Sequence, residues 1–313
     1  MKPVIFIDGR EGTTGLQIYD RLTPRQDIEL LLIDEEKRKD PAERKKCLNA
    51  ADLVFLCLPD EAAREAVAMI DNPNTRVIDA STAHRTAPGW DYGFPELSPH
   101  HRARIVCSKR VANPGCHASG FIASVYPLVQ LGLIPPDHPL CAYSLTGYSG
   151  GGKKLIAEYQ DPHRDPRHAS ARIYGTNLHH KHLPEMKEIS GLAHTPMFVP
   201  VVCDYYCGMQ VLVPLDLTVA GTTAEAVAAG LADYYKDAAT VKVHALNEPL
   251  PENGLYSNAM AGTDRMELYL TVNAAGDQMM LVSLFDNLGK GSSGAAVQCM
   301  NLMLGLPETE GLE

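Results

Sequence analysis

The residues from Ala112 to Gly120 read ANPGCHASG and run straight into the apolar segment FIASVY. A Pro-Gly turn thus delivers Cys116 to the start of what reads as a helix. The thiolate, not the thiol, attacks a carbonyl carbon, so a nucleophilic cysteine needs its pKa lowered from about 8.5. The positive end of a helix dipole does this, and the backbone N–H groups there can hold a developing oxyanion. The competing reading is a small buried hydrophobe beside a turn. Both stay open on this stretch alone.

A nucleophile of this kind needs a proton carrier. Of 12 histidines, three crowd into TNLHHKHLPEM at His179, His180 and His182. Such a cluster serves as an acid/base, as metal ligands or as a plain surface loop. No acidic or cysteine ligand stands at helical spacing to complete a metal site, so no metal is expected. Cys203 and Cys207 have loose metal-like spacing but no second pair nearby.

A third chemical signal lies at the N-terminus, where IDGREGTTGLQI places Gly9, Gly12 and Gly15 between a strand and a helix. Glycines there let the chain approach a pyrophosphate, whose charge meets the free N–H groups of the helix start. The GxxGxxG spacing is a variant of the dinucleotide fingerprint. The second strand ends IDEEKRK: Asp34 suits a ribose hydroxyl and NAD, Lys37 and Arg38 the 2′-phosphate of NADP. Cysteine, histidine and dinucleotide loop together suggest thioester formation followed by hydride transfer from a nicotinamide.

The elements that position these residues fall into two series. Apolar runs VIFID (4–8), IELLLID (28–34), ADLVFLCLP (51–59), RVIDAST (76–82) and RIVCS (104–108) alternate with helical patterns, including one opening at Pro59-Asp60-Glu61. Near-continuous apolar strands separated by helices predict a parallel sheet covered on both faces, a Rossmann-type doubly wound α/β fold. Beyond Cys116 the helix is expected to stop at Pro127. CAYSLTGYSGGG (141–152) predicts a strand entering a glycine-rich loop. MFVPVVCDYYCGMQVLVPLDLTV (197–219) predicts long strands with a turn near Cys207. MELYLTV and MMLVSLF predict a hairpin. Thr222 and Glu225 have capping-box spacing for a helix through 237, and SSGAAVQCMNLMLG predicts a last helix ending at Gly305. The expected second domain is α+β on a mainly antiparallel sheet. The expected boundaries are 1–115 for the dinucleotide-binding domain, rejoined by 287–313, with 116–286 as the catalytic and dimerisation domain.

Composition narrows the partners. The 313 residues are 45% hydrophobic with a formal net charge of −10, which argues against general affinity for nucleic acid or anionic membrane. No stretch nears the roughly 18–20 apolar residues of a membrane span. The N-terminal apolar run is short for a signal peptide, and the expected address is the cytoplasm. Several of the 8 cysteines, Cys57 in LVFLCLP and Cys107 in RIVCS among them, lie in strand-like runs as small hydrophobes, and most of the thiols are expected to be inert.

Several segments in one order resemble the N-acetyl-gamma-glutamyl-phosphate reductases of arginine biosynthesis, in the shorter of that family's two forms. They are GREGTTG (9–15), DASTAHR (79–85), GFPEL (93–97), ANPGCHASG (112–120), GYSGGGKK (147–154), HHKHLPE (179–185) and DNLGKGSSGAAVQCMNLM (286–303). The resemblance implies NADPH-dependent reduction of a small acyl phosphate to an aldehyde and phosphate. It implies Cys116 as nucleophile and His180 as acid/base, with His182 assisting or contacting substrate. Gly9, Arg10, Gly12, Thr13, Gly15, Ser81, Gly289 and Lys290 would bind NADP. Arg85 and Lys109 would meet the substrate's phosphate or carboxylate. A homodimer or homotetramer is implied as well. Two departures touch the substrate pocket: CDYYCGM stands where an arginine was expected after VPVV, and His117 follows the nucleophile where the longer form carries an aromatic. Rival readings are aspartate-semialdehyde dehydrogenase, a reductase of the one-methylene-longer aminoadipyl analogue, an NADP-binding redox sensor and a zinc protein.

Overall fold

The computed structural model describes residues 2–251 and 254–313. It divides into two compact units, one of Met1–Pro114 with Ser292–Leu312 and one of Gly115–Gly291 with the terminal Glu313.

The first unit runs β1 (Val4–Asp8), α1 (Thr13–Leu22), β2 (Glu29–Leu31), α2 (Pro41–Ala50), β3 (Leu53–Leu56), α3 (Asp60–Ala68), β4 (Arg76–Asp79), β5 (Asp91–Tyr92), α4 (Pro99–Cys107) and β6 (Arg110–Ala112). The strands pair in parallel in the order β2-β1-β3-β4-β6-β5. Successive side chains of a strand point to opposite faces, and both faces here are covered. Ile5, Ile7, Leu53, Phe55 and Ile78 belong to one buried cluster, Phe6, Val54, Leu56 and Val77 to another. At roughly 1.5–3 kcal/mol per fully buried large apolar side chain, burial on two faces sustains strands as short as four residues.

The second unit runs α5 (Cys116–Gln130), β7 (Cys141–Gly147), α6 (Gly152–Gln160), β8 (Arg172–Ile173), α7 (Leu183–Ser190), β9 (Met197–Cys203), β10 (Met209–Asp216), α8 (Leu217–Ala220), α9 (Ala224–Tyr234), β11 (Val241–Val243), β12 (Met266–Val272) and β13 (Gln278–Phe285). Its sheet has the order β11-β12-β13-β10-β7-β9-β8. The β11–β12 and β7–β9 pairs are parallel, the others antiparallel. The nearly wholly buried α5 packs on one face of this sheet, where a Cβ at Gly120 would lie 2.7 Å from a Val211 methyl. The last helix, α10 (Gly294–Leu304), returns to the first unit and ends with Gly305 at φ 69°. Its Ala296, Val297 and Met300 complete the cluster around Ile5.

Several local expectations are corrected. RIVCS closes helix α4 instead of forming a strand; Ser98 caps that helix by accepting from His101 N–H, Pro99 opens it, and the strand comes afterwards at 110–112. Proline at a first helical position is an N-terminal signal, and it overrides the apolar run. The helix after Cys116 passes through Pro127 to Gln130; burial of the face around it outweighs the lost backbone hydrogen bond. Thr223, not Thr222, caps α9 through Ala226 N–H. The strands β9 and β10 are not neighbours, because β7 lies between them, and LTV at 217–219 is the short helix α8.

Candidate active site

In the second unit, Cys116 is the first residue of α5, whose cap residue Gly115 supplies no side chain to the helix end. The first-turn N–H groups are left without a capping side chain, beside a half-buried thiol. Gly291, on the turn that follows β13, lies against it: a Cβ there would come within 2.9 Å of the Cys116 Cβ. Only a glycine lets the chain pass so close to the cysteine. Burial acts on several of the other thiols. It pushes Cys47, Cys57, Cys141 and Cys203 up, and with the Asp286 charge it pushes Cys207 up to about 12.

The segment before α7 carries the histidines. His180 and His182 meet edge to face with ring centroids 4.7 Å apart, and both pack against His117, at 5.3 and 5.5 Å. His179 points to solvent. The structure therefore brings His180 and His182, but not His179, to the ring of the residue that follows Cys116. Glu185 on α7 is buried, and its Oε2 accepts from Gly115 N–H at 3.1 Å. His117 is held on both sides, with Nδ1 2.6 Å from Ser144 Oγ and Nε2 2.7 Å from the Tyr174 hydroxyl. Burial, then the charges of His180 and Lys181, hold His117 well below the ordinary histidine range. It is a neutral imidazole that neither carries the charge of a general acid nor faces solvent. Among the described residues, no set of three or more His, Cys, Asp or Glu side chains is arranged to hold a metal ion.

In the first unit, Gly9 turns the chain at φ +88°, and a Cβ there would strike the Cys57 carbonyl. Gly12 N–H closes the turn onto the Gly9 carbonyl at 2.9 Å, Thr13 begins α1, and Gly15 is buried within it. Thr13 Oγ1 is buried with no hydrogen-bond partner in the structure, and so is Asn113 Oδ1 just beyond β6. Two orphaned polar atoms, one beside a bare helix start, fit a dinucleotide that would satisfy them. A cavity of about 400 Å³ next to this loop is lined by Gly9, Arg10, Arg38, Lys39 and Arg44 among others. Arg44 pairs with buried Asp8 at 2.8 Å, and Arg10 pairs with Glu35. Asp34 instead spends its carboxylate capping a 3₁₀ turn through Glu36 N–H.

The remaining expected residues divide. Ser81, at the carboxyl end of β4, is tied to Asp79 by its N–H at 2.9 Å and its hydroxyl at 2.7 Å. Arg85 reaches the carboxyl edge of the parallel sheet, where Nε donates to the Asn113 carbonyl. Lys109 is corrected: it precedes β6, at the amino edge, and donates to the Pro73 carbonyl. Ligands of parallel sheets collect at the carboxyl edge, so Lys109 is not part of the site. Gly289 and Lys290 belong to the second unit, where Lys290 is buried and Gly289 is pressed against the Thr263 carbonyl. Where an arginine was expected after VPVV, Asp204 instead receives Arg164 in a two-pronged pair at 2.6 and 2.7 Å. Sequence reasoning missed Asn113, Glu185, Ser144 and Tyr174. Asn113 and Glu185 sat inside noted motifs, whereas Ser144 and Tyr174 carry no local signal.

A doubly wound nucleotide-binding unit, and a separate sheet unit whose helix opens on a cysteine followed by a histidine that packs against two others, are the features of a semialdehyde dehydrogenase. The family models agree: the semialdehyde dehydrogenase NAD-binding domain matches 9–105 and the semialdehyde dehydrogenase dimerisation domain matches 116–287. The fold is shared with aspartate semialdehyde dehydrogenase II of Vibrio cholerae, at TM-score 0.74 and 15% identity over 97% of this chain and 99% of that one. It is also shared with the enzyme of Candida albicans, at TM-score 0.62 and 15% identity over 97% and 99%. Sequence likeness is far stronger elsewhere. An N-acetyl-gamma-glutamyl-phosphate reductase of Burkholderia orbicola is 48% identical over 97% of both chains, and one of Trichormus variabilis 47% identical over 99% of both. The chain belongs to the N-acetyl-gamma-glutamyl-phosphate reductase family, and is an oxidoreductase with a nicotinamide-binding domain.

Proposed function

We propose that the protein reduces N-acetyl-gamma-glutamyl phosphate to N-acetylglutamate semialdehyde and phosphate with NADPH, as a step of arginine biosynthesis. The observation that carries this reading is Cys116 at the open start of α5, with His180 and His182 packed on the ring of the next residue. The Cys116 thiolate attacks the acyl carbon and phosphate leaves, giving a thioester on the protein. The uncapped first-turn N–H groups of α5 stabilise the oxygen that turns anionic. When bound, NADPH supplies a hydride to the thioester carbon. His180 holds the proton that the reduced tetrahedral species exchanges as it collapses to the aldehyde and frees Cys116, and His182 assists it. Arg85 is the candidate for the substrate's phosphate or carboxylate. Gly9, Gly12, Thr13, Gly15 and Ser81 would hold the cofactor. Arg38 and Lys39 at the adjoining cavity support the extra phosphate of NADP over a bare ribose, while Arg10 and Arg44 there are paired with Glu35 and Asp8.

The outer face of the second sheet supports a homo-oligomer. Tyr143, Met197, Ile173 and Met280 are exposed there and share one side by strand register, opposite the face that meets α5. The test is to supply N-acetylglutamate semialdehyde, phosphate and NADP and to follow NADPH, with aspartate semialdehyde in parallel. Cys116→Ser is expected to abolish turnover and to keep cofactor binding. Normal turnover by that variant would sink the mechanism, and preference for aspartate semialdehyde would sink the substrate assignment.

A further inference from the structure

Four charged side chains meet beyond the ends of β1 and β2, and one of them, Glu35, has no part in the chemistry described above. Glu35 opens the 3₁₀ turn Glu35–Lys37 that follows β2. One carboxylate oxygen, Oε1, pairs with Arg10 Nη2, and the other, Oε2, lies 3.6 Å from Arg38 Nη1. Arg10 is further fixed by the Tyr19 ring, whose centroid is 4.9 Å from the guanidinium carbon, and by Glu11 at 3.6 Å. Arg10, Glu11, Tyr19, Glu35 and Arg38 all line the cavity beside Gly9. An acidic residue at the end of the second strand of such a sheet ordinarily accepts from the ribose hydroxyls of NAD. Here Asp34 Oδ1 accepts from Glu36 N–H at 3.1 Å, and Glu35 is held between two guanidinium groups. Guanidinium groups take carboxylate and phosphate with the same planar fork. A phosphate entering this cavity therefore meets two arginines that already carry an anion.

Resting on the assignment of this cavity to the 2′-phosphate of NADP, we propose that Glu35 is a specificity-determining residue that competes with that phosphate for Arg10 and Arg38. It thereby sets how strongly NADP is preferred over NAD. The side chains of Glu35 and Arg38 are 62% and 48% exposed, and ion pairs so open to water hold weakly. A phosphate monoester brings nearly two negative charges and three acceptor oxygens, so it displaces the single carboxylate. The competition weakens NADP alone, because NAD carries a neutral hydroxyl at the same place. Arg44 stands outside this exchange, since buried Asp8 holds it at 2.8 Å.

Calorimetric titration of the full chain with NADP and with NAD, in the absence of substrate, reads this competition apart from turnover. Glu35→Gln is expected to tighten NADP by about threefold or more, since two exposed ion pairs are released, and to leave NAD unchanged. Glu36→Gln removes the same charge one residue further on, from a carboxylate in no ion pair among the described residues. It should leave both affinities nearly unchanged, because solvent and salt screen an unpaired surface charge. An equal gain in Glu36→Gln overturns the proposal in favour of net charge alone. Weaker binding of both dinucleotides by Glu35→Gln overturns it in favour of Glu35 as a ribose ligand, and unaltered NADP affinity overturns it outright. These three outcomes leave the cavity's assignment standing. Wild-type protein that binds NAD as tightly as NADP overturns that assignment and the proposal together.

Discussion

Glu185 Oε2 accepts from Gly115 N–H at 3.1 Å, which ties α7 to the cap of α5. The histidines precede one helix and the cysteine begins the other, so this bond fixes how the two face each other. Glu185→Ala removes a charge-assisted bond and leaves a buried N–H unpaired, a loss of about 1.5–3 kcal/mol. The expected outcome is a lower melting temperature with kcat falling at least as much as kcat/KM. Glu185→Gln, which keeps the acceptor oxygen, should retain most of the stability.

Acid should loosen the fold. Burial lowers His101, His117 and His138 from the ordinary 6.5, so each binds its proton more readily in the unfolded chain. The unfolded state then takes up more protons as pH drops, and stability falls with it. Stability is complete above about 6.5 and declines below it toward the folded values. Urea unfolding at pH 5.5 and 7.5 checks the sign, and His117→Gln should flatten part of the difference.

Cofactor choice should reside in the cavity beside Gly9. Arg38 and Lys39 line it. The double variant Arg38→Ala, Lys39→Ala is expected to raise KM for NADPH about tenfold or more while KM for NADH changes little, since charged hydrogen bonds to a phosphate are worth about 1.5–3 kcal/mol. Steady-state kinetics with both cofactors decides it.

The apolar outer face of the second sheet should be an interface between copies. Tyr143 is 48% and Met280 37% exposed. Their register partners Leu212 and Pro214 lie on the same strand and face. Contiguous exposed apolar patches mark association surfaces. Tyr143→Glu with Met280→Lys is expected to shift the sedimentation coefficient toward the monomer, and an unchanged value would refute the assignment.

Where periodicity and burial agreed, the sequence was readable. VIFID and LVFLCLP alternate between two covered faces, so their apolar runs mark parallel strands directly. RIVCS failed because a short apolar run fits a helix face as well as a strand, and the Ser98–Pro99 start signal decided between them. Lys109 failed because adjacency to a motif says nothing about which edge of a sheet a residue occupies.

By itself the sequence determined the local geometry: a cysteine delivered by a Pro-Gly turn to a helix start, and glycines that turn the chain tightly into α1. Those depend on backbone conformations that neighbouring residues impose. Only the tertiary structure decided which histidines meet that helix, because His180 reaches it through α7 packing on α5 and not through any local pattern. It also decided that His117, the nucleophile's neighbour in sequence, is a neutral buried link between Ser144 and Tyr174. Long-range hydrogen bonds of this kind arise from the packing of α5 against β7 and the segment after β8, which no short motif encodes.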